Sequence, residues 1–200
     1  MIDDPAPSPR GRPARRGELD AGELRSDSPA HVVLVGLPGA GKSTHGRHAA
    51  RHLRRPFIDL DRRVAQLTGE SVRRIFQLRG EPAFRKLERQ ATAALALEPA
   101  AIVAPGGGWI MDPENVALIR PGAIIVWLRV SPVVAVQRMG ARVRLRPLLA
   151  GADPVVALEA LLERRAANYA TADAVIDTEV LDWHGVVKAI AALAMPVGGH

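Results

Sequence analysis

The chain has 200 residues, enough for one compact domain, and its 48% hydrophobic content can fill a sizeable core. A net charge of +6 suits nucleic acid or small anionic substrates, but 4% aromatics is poor for stacking bases, so no nucleic-acid partner is expected. Cysteine is absent, which excludes disulfides and cysteine metal sites. No apolar run is long enough to span a bilayer and no signal-peptide core is present, so a cytoplasmic enzyme with no membrane partner is expected.

Residues 1–28 are rich in Pro, Arg, Gly and acids and poor in large apolar groups, so they are expected to form a disordered tail ahead of a folded domain over 29–200. Strand and helix then alternate. His31–Val35 reads as a short buried strand that runs into a glycine loop, and a helix follows from Lys42 to His52. Phe57–Leu60 is the second strand. Ser71–Arg79 is a helix capped by Ser71 and stopped at Gly80, and Glu81-Pro82 opens another. Ala101–Ala104 is the third strand, and Gly106-Gly107-Gly108 follows it. Asp112-Pro113-Glu114 starts a helix, Ala123–Leu128 is the fourth strand, and Pro132–Met139 is helical. An Arg-rich loop over Gly140–Gly151 precedes a long helix, Pro154–Tyr169. Ala174–Ile176 is the last strand, and Asp182–Ala194 closes the chain as a helix. The alternation predicts an α/β fold with a five-stranded parallel sheet flanked by helices.

The segment Gly36-Leu37-Pro38-Gly39-Ala40-Gly41-Lys42-Ser43-Thr44 matches the P-loop pattern G-x-x-x-x-G-K-[ST], between an apolar strand and a helix. Its glycines allow positive φ, so that successive N–H groups form an anion nest at a helix N-terminus. Lys42 then reaches the β and γ phosphates of ATP, and the Ser43 hydroxyl ligates Mg²⁺. His48 and His52 share a helix face at metal-pair spacing, but no third ligand is apparent, so a solvated face is the expected reading.

Further segments bear on the acceptor. Asp59 and Asp61 at the end of the second strand are expected to point the same way by alternation, suiting Mg²⁺ water ligation and a hydroxyl acceptor, with Asp61 also read as a helix N-cap. Arg85 and Glu88 stand i,i+3 on one helix, where a glutamate can orient an arginine that grips a carboxylate. The triple glycine lets a ligand lie flat on backbone. Arg144-Leu145-Arg146-Pro147-Leu148-Leu149 adds cations in the Arg-rich loop, and Arg165 lies four residues before Tyr169.

With GLPGAGKST, FIDLD, IFQLRGEPAFRKLE, PGGG, RPLLAG and RRAANY in this order, the chain resembles the shikimate kinases, in the nucleoside-monophosphate-kinase-like group of P-loop kinases, from His31 to Ile176. The resemblance implies a mobile lid over about 138–152 and substrate-binding helices over about 60–97. It implies that Gly39, Ala40, Gly41, Lys42, Ser43 and Thr44 hold ATP, with Ser43 and Asp59 serving Mg²⁺. Asp61 would orient and deprotonate the attacking hydroxyl, and Lys42, Asp61 and Arg146 would form the catalytic set. Arg85 and Arg165 would clamp the shikimate carboxylate, while Gly106, Gly107 and Gly108 line the ring. Arg146 would meet the moving phosphoryl group, and Arg138 would pack on adenine. The expected partners are ATP and shikimate, acting on a monomer.

The sequence departs from the family pattern at three places. Pro105 stands where a Ser or Thr hydroxyl is usual, Trp109 stands where a small residue is usual and is expected to crowd the acceptor pocket, and the stretch from Arg138 to Arg146 is one residue longer. A related small-molecule kinase acting on gluconate, or an inactive nucleotide-binding regulator, are the alternative readings.

Overall fold

The computed structural model describes residues 31–145, 149 and 153–195. The tail over 1–28, and Arg146 with it, lie outside the described residues. Five strands form one sheet: β1 (His31–Val35), β2 (Phe57–Asp59), β3 (Ala101–Ala104), β4 (Ala123–Arg129) and β5 (Ala174–Asp177). The helices are α1 (Lys42–Leu53), α2 (Leu60–Thr68), α3 (Val72–Leu95), α4 (Pro113–Ile119), α5 (Pro132–Met139), α6 (Pro154–Tyr169) and α7 (Trp183–Leu193). Every strand pairing is parallel and the order is β2-β3-β1-β4-β5, with β1 central.

β1 is buried along its whole length because helices cover both faces of the sheet. α1 and α7 pack against each other, as do α2, α3 and α4 in succession. Val32, Leu34, Ile102, Ile125 and Leu128 form the centre of the core. No helix among the described residues is long and apolar enough to cross a membrane.

Parallel strands all point their carboxyl ends to one side, and ligands bind in such sheets where neighbouring strands lead off in opposite directions. Here β1 leads into the glycine loop, β2 into Asp59, β3 into the triple glycine and β5 into Thr178, along one edge.

Two expectations change at the end of β2. The strand stops at Asp59, and α2 starts at Leu60, ahead of the start that an N-cap at Asp61 implies. The N-cap is Asp59, whose Oδ1 accepts from the Arg62 N–H at 3.1 Å, and not Asp61, which sits in the first turn. Strand alternation therefore does not relate the two carboxylates; a helix start does. A short carboxylate at the cap takes an orphan amide, and a second one in the first turn gains from the helix dipole.

α3 breaks at Gly80, whose φ of 75° is outside the helical region, and Pro82 lies in the first turn beyond the break. Ser71 caps its start by accepting from the Arg74 N–H.

Candidate active site

The glycine loop needs its glycines. Gly36, Gly39 and Gly41 have φ of 139°, 87° and 86°, and a Cβ at Gly36 would stand 2.5 Å from the Leu128 carbonyl oxygen. Gly41 is the N-cap of α1 and offers no side-chain acceptor, so the first amides of this 12-residue helix are left to an anion. The Lys42 ammonium donates to the carbonyls of Gly36 at 2.8 Å and Leu37 at 3.1 Å, which folds it back over the loop. Beneath the loop, buried His45 donates from Nδ1 to the Gly41 carbonyl at 3.1 Å in the tautomer this contact implies.

A cavity of about 800 Å³ opens at this loop. Gly39, Gly41, Lys42, Ser43 and Thr44 line it, opposite Asp59, Asp61, Pro105, Gly106 and Gly107. Ala40 does not line it. That residue is buried, and its N–H donates to the Leu37 carbonyl at 3.1 Å. Thr178, Glu179 and Trp183 form the far end. Sequence reasoning missed these residues, because nothing in the chain before β5 marks the loop after it as part of a pocket.

Arg138 also lines this cavity. It is the last-turn arginine of α5, and its guanidinium donates to Thr178 Oγ1 at 2.7 Å and to the Thr178 carbonyl at 2.6 Å. These two bonds tie the end of α5 to the loop after β5. His48 meets Trp183 edge to face, with ring centroids 4.3 Å apart. No group of three or more His, Cys, Asp or Glu side chains among the described residues could hold a metal ion.

A second cavity, about 1480 Å³, adjoins the first. Arg85, Arg165 and Gly108 line it together with Phe76, Met111 and Leu161. Arg85 is held by Glu88 at 2.7 Å and Glu81 at 2.8 Å. Glu88 is buried, and burial pushes its carboxyl up while the Arg85 charge opposes the rise. Burial works against the Arg85 cation as well, but the hydrogen bonds it donates to Glu88 and Glu81, with the charges of those two carboxylates, outweigh it and its pKa is raised. The guanidinium is thus aimed by a carboxylate that water does not reach. Arg165 stands one turn before Tyr169, which is buried and stacked on Trp127. Burial raises the Tyr169 hydroxyl, and the Arg165 charge pulls the other way.

The triple glycine connects the two cavities. A Cβ at Gly106 would lie 2.6 Å from Asp61 Oδ1, one at Gly107 2.8 Å from Arg165 Nη1, and one at Gly108 2.5 Å from Arg85 Nη2. Each glycine makes room for a different predicted side chain, and together they bring α2, α6 and α3 onto one stretch of backbone.

Trp109 does not crowd the acceptor cavity. It is 1% exposed and turned into the core, where its indole N–H donates to Thr92 Oγ1 at 2.9 Å. Its carbonyl accepts from Asn115, and Asn168 donates to the Ile110 carbonyl, so the turn after the glycines is tied down on two sides.

The shikimate kinase family model matches residues 38–193. The chain belongs to the shikimate kinase family. A shikimate kinase of Moorella thermoacetica is 41% identical over 162 residues, which is 81% of this chain and 92% of that one. Among solved structures, shikimate kinase from Acinetobacter baumannii in complex with shikimate has a TM-score of 0.75 at 33% identity, covering 84% of this chain and 93% of that one. A gluconokinase from Sinorhizobium meliloti has a TM-score of 0.53 at 18% identity over 83% of this chain and 91% of that one, a likeness of fold alone.

Proposed function

We propose that this chain transfers the γ-phosphoryl group of ATP to the 3-hydroxyl of shikimate, giving ADP and 3-phosphoshikimate for aromatic amino acid (chorismate) biosynthesis. The observation that carries the reading is the glycine run, which sets Asp61, Arg165 and Arg85 in sequence between a phosphate nest and an arginine-lined cavity. A hydroxylated ring acid fits that order, with its hydroxyl towards Asp61 and its carboxylate towards the two arginines.

In this reading the P-loop amides and Lys42 hold the nucleotide phosphates. Asp61 accepts a hydrogen bond from the attacking hydroxyl, orients it and takes its proton. Arg165 and Arg85, beside Gly107 and Gly108, bind the carboxylate at the end of the glycine run away from Asp61, so the ring cannot slide. Phosphoryl transfer asks for this kind of positioning more than for a strong base.

Mg²⁺ fits the donor set. Ser43 and Asp59 supply hard oxygens on facing walls of the nucleotide cavity, and Asp59 spends Oδ1 on its cap. The described residues form no closed cage, in keeping with an ion that keeps waters and arrives with phosphates. When bound, Mg²⁺ neutralises charge on the phosphates. Pro105 lines the same wall and brings no hydroxyl to it.

The test is ADP release with shikimate under Mg²⁺-ATP, compared with gluconate by kcat/KM. Turnover with shikimate well above gluconate is expected; none with shikimate removes the reading. Arg85→Ala should raise the acceptor KM about 10- to 100-fold, the value of a charged hydrogen bond, and leave the ATP KM nearly unchanged. Equal effects on both would contradict the clamp.

A further inference from the structure

The acceptor cavity holds more cations than one carboxylate needs. Six described arginines line it: Arg73, Arg85, Arg89, Arg142, Arg164 and Arg165. The carboxylates around them are spent on two of the six. Glu81 and Glu88 hold Arg85, and Asp112 and Glu114 hold Arg89. Arg165 is the second arm of the carboxylate clamp proposed above, and Arg142 lines the nucleotide cavity as well. Arg73 and Arg164 remain. Both are exposed, and neither makes a hydrogen bond or ion pair with the described residues. Arg73 stands in the first turn of α3, which has no acidic residue. A cation there opposes the helix dipole, so α3 itself gains nothing from it.

The cavity is also larger and more apolar than a hydroxylated ring acid requires. Its volume of about 1480 Å³ exceeds the range of about 300–1,000 Å³ that suits a drug-sized ligand. Phe76 and Met111 line it and are 38% and 40% exposed. Phe76 packs on Phe84, with ring centroids 4.7 Å apart, so its ring is held in place. A ring covered in hydroxyls gains little from such a wall, whereas an aromatic body gains by burial and by stacking.

We propose that Arg73 and Arg164 form a second anion subsite in the acceptor cavity, which thereby takes small ring acids whose apolar body joins a carboxylate to a second anionic group. The first carboxylate sits on Arg85 and Arg165, the body lies on Phe76 and Met111, and the second anion sits on Arg73 and Arg164. The inner half of this site rests on the kinase reading above; the outer half does not. Such a ligand excludes the acceptor, because both need the same clamp, and it leaves the nucleotide loop open. Each guanidinium keeps its charge at every working pH and grips a carboxylate with two donors. A rigid body that joins the two anions spares the second one most of the entropy of separate binding.

The test is titration calorimetry on the full chain with two pairs of probes that differ in length. One pair is terephthalate and benzoate; the other is biphenyl-4,4′-dicarboxylate and biphenyl-4-carboxylate. In at least one pair the diacid should bind about 10- to 100-fold tighter than the monoacid, the value of a charged hydrogen bond. The double variant Arg73→Ser, Arg164→Ser should bring the diacid down to the monoacid and leave monoacid affinity, ADP affinity and acceptor KM within about threefold of the parent. Lysine at both positions should recover part of the advantage, since it restores the charges. Diacids that bind no better than monoacids in both pairs, or an advantage that survives in the double serine variant, would overturn the proposal. So would a diacid that competes with ADP. The probes need no turnover, so the outer subsite is decided even if shikimate proves to be the wrong substrate. Conversely, a chain that phosphorylates shikimate yet binds both members of each pair alike refutes the subsite alone. Both side chains are exposed, so melting temperatures should match the parent, and the parent's own diacid-to-monoacid ratio decides the matter if they do not.

Discussion

At the scale of the residue, the glycines of this protein divide into two kinds. Gly36 is required by backbone: its φ is 139° and a Cβ would press on the Leu128 carbonyl, which belongs to the sheet and cannot yield. Gly106 is required by function: a Cβ there would meet only the far end of the Asp61 side chain, which can swing away. Gly106→Ala should therefore melt within about 0.5 kcal/mol of the parent and lose about 100-fold in kcat, the effect of a misplacement near 1 Å. Gly36→Ala should lose about 1–3 kcal/mol of stability from backbone strain. Melting curves and kcat for the two variants check this; similar profiles would mean that the glycine run is structural only. The P-loop was fully legible in the sequence because one contiguous segment makes it. The triple glycine alone signalled only a loop, because the side chains it accommodates come from α2, α3 and α6. The family resemblance joined them before the structure did. Trp109 was misjudged for a related reason: its direction depends on Thr92, 17 residues earlier, and no local pattern reports that.

Between residue and domain stands the helix start at α2. The sequence treated Phe57–Leu60 as strand and put the helix cap at Asp61, where the nine-residue helix is capped by Asp59, because two aspartates at i and i+2 match a strand end as well as a helix start. Asp59 carries both a cap and the proposed Mg²⁺ contact, and substitution can separate them. Asn caps as well as Asp, whereas Ala does not. Asp59→Asn should keep the parent's stability, and Asp59→Ala should lose about 1 kcal/mol. Both should need more Mg²⁺ for half-maximal rate. A magnesium titration of Asp59→Asn that matches the parent would leave only the cap. The turn after β3 offers a second separation. Trp109→Phe removes the donor to Thr92 while the Thr92 hydroxyl keeps its bond to the Glu88 carbonyl. It should cost about 1–2 kcal/mol and leave the acceptor KM unchanged. A raised KM would show that the indole supports the site through the glycine run.

For the whole molecule, the strand and helix alternation announced five strands in a parallel sheet, but their order is a matter of non-local pairing and appeared only in three dimensions. The order puts His31 at the buried start of the central strand and His45 under the central loop, so two histidines are enclosed by the same core. Burial is the main force that lowers both from the ordinary 6.5; the Leu95 and Gly41 carbonyls respectively oppose it in part. Around His45, the charges of Arg138 and His48 push the same way as burial. Around His31, Arg55 does so and Glu98 opposes. A histidine with a lowered folded pKa binds its proton less readily than in the unfolded chain. Its contribution is complete above about pH 6.5 and is lost as pH falls towards the lower folded value. Glu88 acts with the opposite sign. Its raised pKa favours the folded state below the ordinary 4.5 of a glutamate, and that advantage is lost as pH rises through the folded value. The melting temperature of the parent should therefore drop between about pH 7 and pH 5 by more than that of the double variant His31→Gln, His45→Gln. Carboxylates are common to both proteins, so the difference between the two curves isolates the histidines. Parallel curves over that range would mean that neither ring titrates in step with unfolding. The linkage reaches the active site because His45 holds the Gly41 carbonyl, at the turn where the nest opens onto α1. A second proton on His45 leaves that bond in place and adds positive charge below the phosphates. Acid should thus weaken the fold before it weakens nucleotide binding, and ADP affinity measured beside the melting curves should hold through the first part of the drop.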